Sequence, residues 1–107
     1  MSNTAEVKDS TFQKEVLQAD KAVLVDFWAP WCSPCRAMGP HVDKLSQELG
    51  DKVKVVKHNT QDEPEVPTKL GVMAIPTFIV FKAGKEVARH TGMLPYDGLK
   101  KLVASHV

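Results

Sequence analysis

Apolar and polar positions follow two different periods along this chain, and the change between them falls at one place. Val23-Leu24-Val25-Asp26-Phe27-Trp28 is a short run rich in β-branched and aromatic residues, closed by Ala29-Pro30. It predicts a buried strand over 22–29. Beyond Cys32 the period becomes helical. Met38, Val42, Leu45 and Leu49 share one face of a helix over 34–49, and Gly50 stands where a left-handed stop is wanted. Pro40 lies inside that helix and kinks it by removing a backbone hydrogen bond. Gly39-Pro40 is also a breaker pair, so a helix ending near Gly39 is the alternative.

The flanking segments are shorter. Thr4 to Val7 can form an edge strand. Ser10-Thr11-Phe12-Gln13 has capping-box spacing with Ser10 as the cap, and Phe12, Val16 and Ala19 mark the buried face of a short helix. Lys52 to His58 reads as a strand apolar on both faces through Val53, Val55 and Val56. Pro64 and Pro67 interrupt the stretch 59–71, which predicts a turn and then a short helix ending at Leu70-Gly71. Thr77 to Lys82 and Glu86 to Thr91 form a hairpin about the tight turn Ala83-Gly84. Asp97 to His106 closes the chain as a helix with Leu99, Leu102 and Val103 inward.

The order is therefore β-α-β-α-β-α-β-β-α, an α/β fold. Strands joined through helices are expected to run parallel. The last hairpin is antiparallel, which gives a central mixed β-sheet with helices on both faces. A length of 107 residues fits one domain over 1–107 with a single core. Hydrophobic content of 43%, charged content of 25% and a net charge of +1 are ordinary for a globular chain, and no basic excess suggests nucleic acid as a partner. No apolar run approaches a membrane span. Met1 to Asp9 is polar and lacks the core of an export signal. A cytoplasmic location is expected.

Chemistry concentrates at Trp31-Cys32-Ser33-Pro34-Cys35, which holds both cysteines of the chain. The pair sits at the strand-to-helix junction, on the first helical turn. Unpaired N–H groups and the positive end of the helix dipole favour a thiolate there over a thiol. Cys32 comes first and is expected to be the more exposed. Cys35 follows one turn on, within about 5–6 Å, where a modest tightening closes a disulfide. Pro34 suits a first turn, where its missing N–H is no loss. A thiolate with a second thiol in reach can attack a disulfide and then be released by its neighbour. A purely structural disulfide would constrain little across so short a closure. A zinc site would need a second half, and none of the four histidines supplies a spaced pair, so no metal is expected.

Two further residues draw notice. Asp26 within an apolar run is costly to bury ionised, so burial would raise its pKa. If instead its face of the strand is open, it merely points out. Ile75-Pro76 would be trans on chain statistics, since only about 5–6% of X–Pro bonds in folded proteins are cis.

With these residues in place the chain resembles the thioredoxin family from about Phe12 to Leu102. The resemblance is carried by Asp26, Phe27, Trp28, Ala29, Trp31, Cys32, Pro34, Cys35, Pro40, Lys57, Ile75-Pro76-Thr77, Phe81, Gly84 and Gly92. It implies the thioredoxin fold and protein-disulfide reduction through Cys32 and Cys35. It implies a kinked helix at Pro40, a buried Asp26 that accepts the Cys35 proton through a water, and Lys57 as partner of that aspartate. Taken alone, Lys57 reads as a solvated strand lysine. The resemblance also makes Pro76 a cis proline facing the cysteines, presenting the backbone of Ile75 to an extended substrate. Trp31, Ser33, Pro34, Ile75, Pro76, Thr91, Gly92 and Met93 would then meet substrate, with Met93 otherwise ordinary loop packing. Trp28, Pro40 and Gly84 would be structural support. No bound cofactor is implied. NADPH would act indirectly through thioredoxin reductase, a flavoprotein, and the partners would be that reductase and disulfide-containing proteins, with the chain a monomer.

Three positions depart from the common pattern of the family: Ser33 and Ala74 replace frequent glycines, and Asn59 a frequent aspartate. Ser33 bears on the redox potential. Two other activities fit the same fold, a thiol oxidase or disulfide isomerase and a docking or chaperone module without redox chemistry. Oxidases and isomerases usually carry histidine where this chain has Pro34.

Overall fold

The computed structural model describes residues 4–107. The beginning of the polar N-terminal stretch, Met1 to Asn3, lies outside the described residues. The elements are β1 (Ala5–Val7), a π-helical turn (Gln13–Leu17), β2 (Ala22–Trp28), α1 (Ser33–Leu49), β3 (Val53–Asn59), α2 (Glu65–Lys69), β4 (Thr77–Lys82), β5 (Lys85–Thr91) and α3 (Tyr96–Ala104). Their order is the expected one. The five strands form one mixed sheet in the order β1-β3-β2-β4-β5.

β1 and β2 both pair parallel with β3, while β2 with β4 and β4 with β5 are antiparallel. One expectation fails here. β3 and β4 are joined through a helix, yet β4 runs opposite to β2 and hence to β3. Five helical residues in α2 advance about 7.5 Å, whereas a seven-residue strand spans about 23 Å. Helix α2 alone covers only about a third of that distance, and the link over 60–76 does not carry the chain back along the sheet. It leaves and re-enters at the same end, so Thr77 at the start of β4 pairs with Phe27 near the end of β2.

Alternation along the central strand divides the core. Ala22 and Leu24 pack with Met38, Val42 and Leu45 of α1 and Leu99 and Val103 of α3. Val23, Val25 and Phe27 face the other way, onto Phe12 and Val16 and, at the rim, Val66 and Leu70. Helices thus cover both faces, as expected. Each fully buried Leu or Phe contributes about 1.5–3 kcal/mol relative to exposure. Asp26, two residues after Leu24, shares the face under α1.

Local details refine the sequence reading. α1 continues through Pro40 to Leu49, so Gly39-Pro40 does not end it. Ser10 does not cap the first helical segment. Phe12 takes the N-cap position without a side-chain bond, and the turn closes through an i to i+5 bond from the Gln18 N–H to the Gln13 carbonyl. Packing sets this turn: the Phe12 ring meets the Phe81 ring edge-on at 5.6 Å. Gly50 is not left-handed, with φ −57° and ψ −23°. A Cβ there would lie 2.5 Å from the Ser46 carbonyl oxygen, so glycine serves close approach rather than handedness. At the β4–β5 turn Ala83 (φ 52°) and Gly84 (φ 80°) are both left-handed, the geometry that tight hairpins favour. No helix among the described residues is long and apolar enough to cross a membrane.

Candidate active site

Cys32 is the N-cap of α1, with extended backbone (φ −86°, ψ 108°). Its sulfur accepts a hydrogen bond from the Cys35 N–H at 3.2 Å, and the Ala29 carbonyl receives the Cys32 N–H at 3.1 Å. The helix start thus turns a backbone donor onto the first sulfur, as the placement of the motif predicts. Cys32 and Cys35 are joined in a disulfide with Cα atoms 5.2 Å apart. Cys32 is 5% exposed and Cys35 3%, so the expected contrast in exposure is slight. The surrounding rim of Trp31, Ser33 and Pro34 is open to solvent.

The short link before β4 delivers a second segment to the same end of the sheet. The Ile75–Pro76 bond is cis. That agrees with the resemblance and reverses the statistical expectation. The Ile75 carbonyl oxygen lies 3.9 Å from the Cys32 sulfur. The turn is pinned from behind: the Thr77 hydroxyl donates to the Ala74 carbonyl at 2.6 Å, and the Gly92 N–H donates to the Pro76 carbonyl at 2.8 Å. Gly92 has φ +99°, and Met93 beside it is half-exposed. Thr91 meets Thr77 hydroxyl to hydroxyl at 3.1 Å. Trp31, Ile75, Pro76, Gly92 and Met93 therefore flank one end of the sheet together with the disulfide.

Asp26 is 1% exposed, and neither carboxyl oxygen has a hydrogen-bond partner in the protein. The open-face alternative is excluded, because α1 covers that side. Burial raises its pKa from 3.8 to about 7; Lys57 opposes the rise and Glu6 adds to it. Lys57 is paired in register with Asp26 and is 8% exposed, so it is not a solvated lysine. Its ammonium sits 4.0 Å over the Trp28 ring rather than in an ion pair with Asp26. It acts on the carboxyl through space, and Trp28 holds it there. A recess of about 620 Å³ opens beside these groups between α1 and the strands, lined among others by Glu6, Trp28, Cys35, Pro40 and Lys57.

Pattern reading passed over two residues of this region. Met73, 95% exposed two positions before Ile75, is an apolar residue in an open loop, and that contrast is visible in the sequence. Glu6 lies in a three-residue strand with no distinguishing pattern; only the register puts it beside Lys57. Asn59 explains itself structurally. Its side-chain oxygen accepts the Gln61 and Asp62 N–H groups and so closes the turn after β3. No group of three or more His, Cys, Asp or Glu side chains placed to hold a metal ion occurs among the described residues.

Comparison with known proteins decides the family. The thioredoxin family model matches residues 3–105. The chain belongs to the thioredoxin family. It is 47% identical to thioredoxin 1 of a Nostoc species and 46% identical to thioredoxin 1 of Synechococcus elongatus, each over the whole of both chains. It is 39% identical to the thioredoxin of Haemophilus influenzae, again over the whole of both. Family membership and the paired cysteines make this chain a protein-disulfide reductase, a thiol–disulfide oxidoreductase whose redox-active centre is Cys32–Cys35.

Proposed function

We propose that this member of the thioredoxin family is a general cytoplasmic reductant of protein disulfides, acting as a monomer and as one domain over residues 1–107. The observation that carries the proposal is the disulfide at the start of α1 with its Cys32 sulfur beside the Ile75 carbonyl. Cys32 is the nucleophile. Its thiolate attacks one sulfur of a substrate disulfide, and a substrate thiolate leaves. Cys35 then gives its proton through a water to Asp26 and attacks the Cys32 sulfur. The mixed disulfide breaks, its electron pair leaves on the substrate sulfur that Cys32 had attacked, and Cys32–Cys35 remains oxidised. A pKa near 7 lets Asp26 be ionised and basic at once near neutrality. Lys57 steadies the ionised form. An extended substrate segment pairs with the backbone at Ile75, against Pro76, Trp31, Ser33, Pro34, Thr91, Gly92 and Met93. Pro40 and Gly84 act in support.

Two electrons must return to the pair after each cycle. An NADPH-dependent flavoprotein, thioredoxin reductase, is the proposed donor, and no cofactor resides on this chain. Both cysteines lie in the one motif, with no further pairing to form, which suits a reducing compartment.

The equilibrium reduction potential of the pair, measured against a dithiol buffer, tests the proposal. Thioredoxins lie at about −270 mV and isomerases at about −180 mV, reference values rather than consequences of this geometry. A potential close to the first supports general reduction. A value near the second would make this an isomerase or oxidase, with Ser33 the departure to examine. Cys35→Ser should accumulate covalent substrate complexes, and Cys32→Ser should abolish turnover. Normal turnover by Cys35→Ser would remove the resolving role.

A further inference from the structure

Lys57 stands between two carboxylates, and only one of them has a part in the proton route above. In the sheet register Glu6 of β1 pairs with Lys57 of β3, and Lys57 pairs with Asp26 of β2. Strand alternation sets the three side chains in one row on the face toward α1. Asp26 is buried, Lys57 nearly so, and Glu6 is exposed. The row thus runs from the closed interior to water, and the recess of about 620 Å³ beside Cys35 opens along it.

We propose that Glu6 is a positioning residue for the resolving step: its carboxylate, at the mouth of the recess, offsets the Lys57 charge and so sets how firmly Asp26 holds a proton. The inference rests on Asp26 as proton acceptor for Cys35. Because the Lys57 ammonium lies on the Trp28 ring and makes no ion pair with Asp26, it acts through space. A neighbouring charge of opposite sign can cancel part of that action. Lys57 lowers the proton affinity of Asp26 and Glu6 raises it.

Other charged groups border the recess from α1. The Arg36 guanidinium donates to the Pro30 carbonyl at 2.8 Å, and Asp43 accepts the Thr4 hydroxyl at 2.9 Å. On the β4 side the register partner of Asp26 is Phe78, which carries no charge. From α3 the same face receives Leu99 and Val103. Lys57 and Glu6 are left as the opposed pair nearest the acid along the sheet.

In the balanced step, the Cys35 thiol proton passes through water to the ionised Asp26 carboxylate. The Cys35 sulfur bonds to Cys32, and the electron pair of the broken bond leaves on the substrate sulfur. Asp26 then returns its proton to bulk water. With Glu6 present, Asp26 keeps its proton to higher pH. Removing that charge moves the midpoint down.

The test is a carbon-13 carboxyl NMR titration of Asp26 in the oxidised full chain. Glu6→Gln should lower the midpoint by about 0.3–0.6 pH unit, and Glu6→Lys by about twice as much. Glu6→Asp should restore it. The shift should shrink at high salt because Glu6 is exposed. The acidic limb of the turnover–pH profile should move with it. An unmoved or raised midpoint in Glu6→Gln, with Asp26→Asn still removing that limb, overturns the role of Glu6 alone. A limb that survives in Asp26→Asn overturns the acceptor role and this inference with it.

Discussion

Asp26 is a carboxyl with almost none of its surface open to solvent, and its proton equilibrium carries a stability cost. Burial lifts its pKa from 3.8 to about 7. The unfolded chain keeps the ordinary value. Between about pH 4 and pH 7 the folded chain therefore holds more protons than the unfolded one, and stability falls as pH rises through that window. Three units correspond to about 4 kcal/mol at most. Asp26→Asn should remove this dependence. We expect the variant to exceed the parent by up to about 4 kcal/mol at pH 8 and to match it closely at pH 4, read from urea unfolding midpoints. An equal gain at both pH values would mean that the charge at Asp26 is not what costs stability. The same substitution should slow the resolving step, so stability and turnover are expected to move in opposite directions.

At the scale of elements, the start of α2 is held by a residue far away in sequence. The Asp9 carboxylate accepts the Glu65 N–H at 3.0 Å and the Val66 N–H at 2.9 Å, and one of its oxygens lies 3.2 Å from the ring nitrogen of buried His58. This is N-capping supplied from another segment. Asp9→Ala should cost about 1–2 kcal/mol, visible as a lowered thermal midpoint, while the redox potential stays unchanged. Full stability in that variant would show that α2 is held by Val66 and Leu70 packing alone. The sequence pointed to Ser10 as a cap for its own helix. It could not point to Asp9 as a cap for another, because no local spacing encodes a contact across more than fifty residues.

At the scale of the molecule, one sheet supports two apolar layers, and β2 contributes to both. Neither layer can form without the central strand. Unfolding should be a single transition, with tryptophan fluorescence and far-ultraviolet circular dichroism coinciding. Separate transitions would contradict the single-domain reading. Reducing the disulfide should lower stability by about 2 kcal/mol, since so short a closure restricts the unfolded chain little. A far larger loss would mean that the pair is chiefly structural rather than redox-active.

The sequence by itself determined the elements and the reactive pair. Both are local: a period-2 run, a helical face and two thiols one turn apart each lie within a few residues of one another. Asp26 was legible as a charge inside an apolar strand, though whether its face was covered was not. The tertiary structure alone decided what depends on residues distant in the chain. The short α2 link brings β4 back to the end of the sheet it left, which sets cis Pro76 beside Cys32. The register of β1, β3 and β2 sets Glu6, Lys57 and Asp26 in one row. Spacing along a chain fixes neighbours one turn or one pleat away; which strand lies beside which follows from how the two apolar faces are buried together.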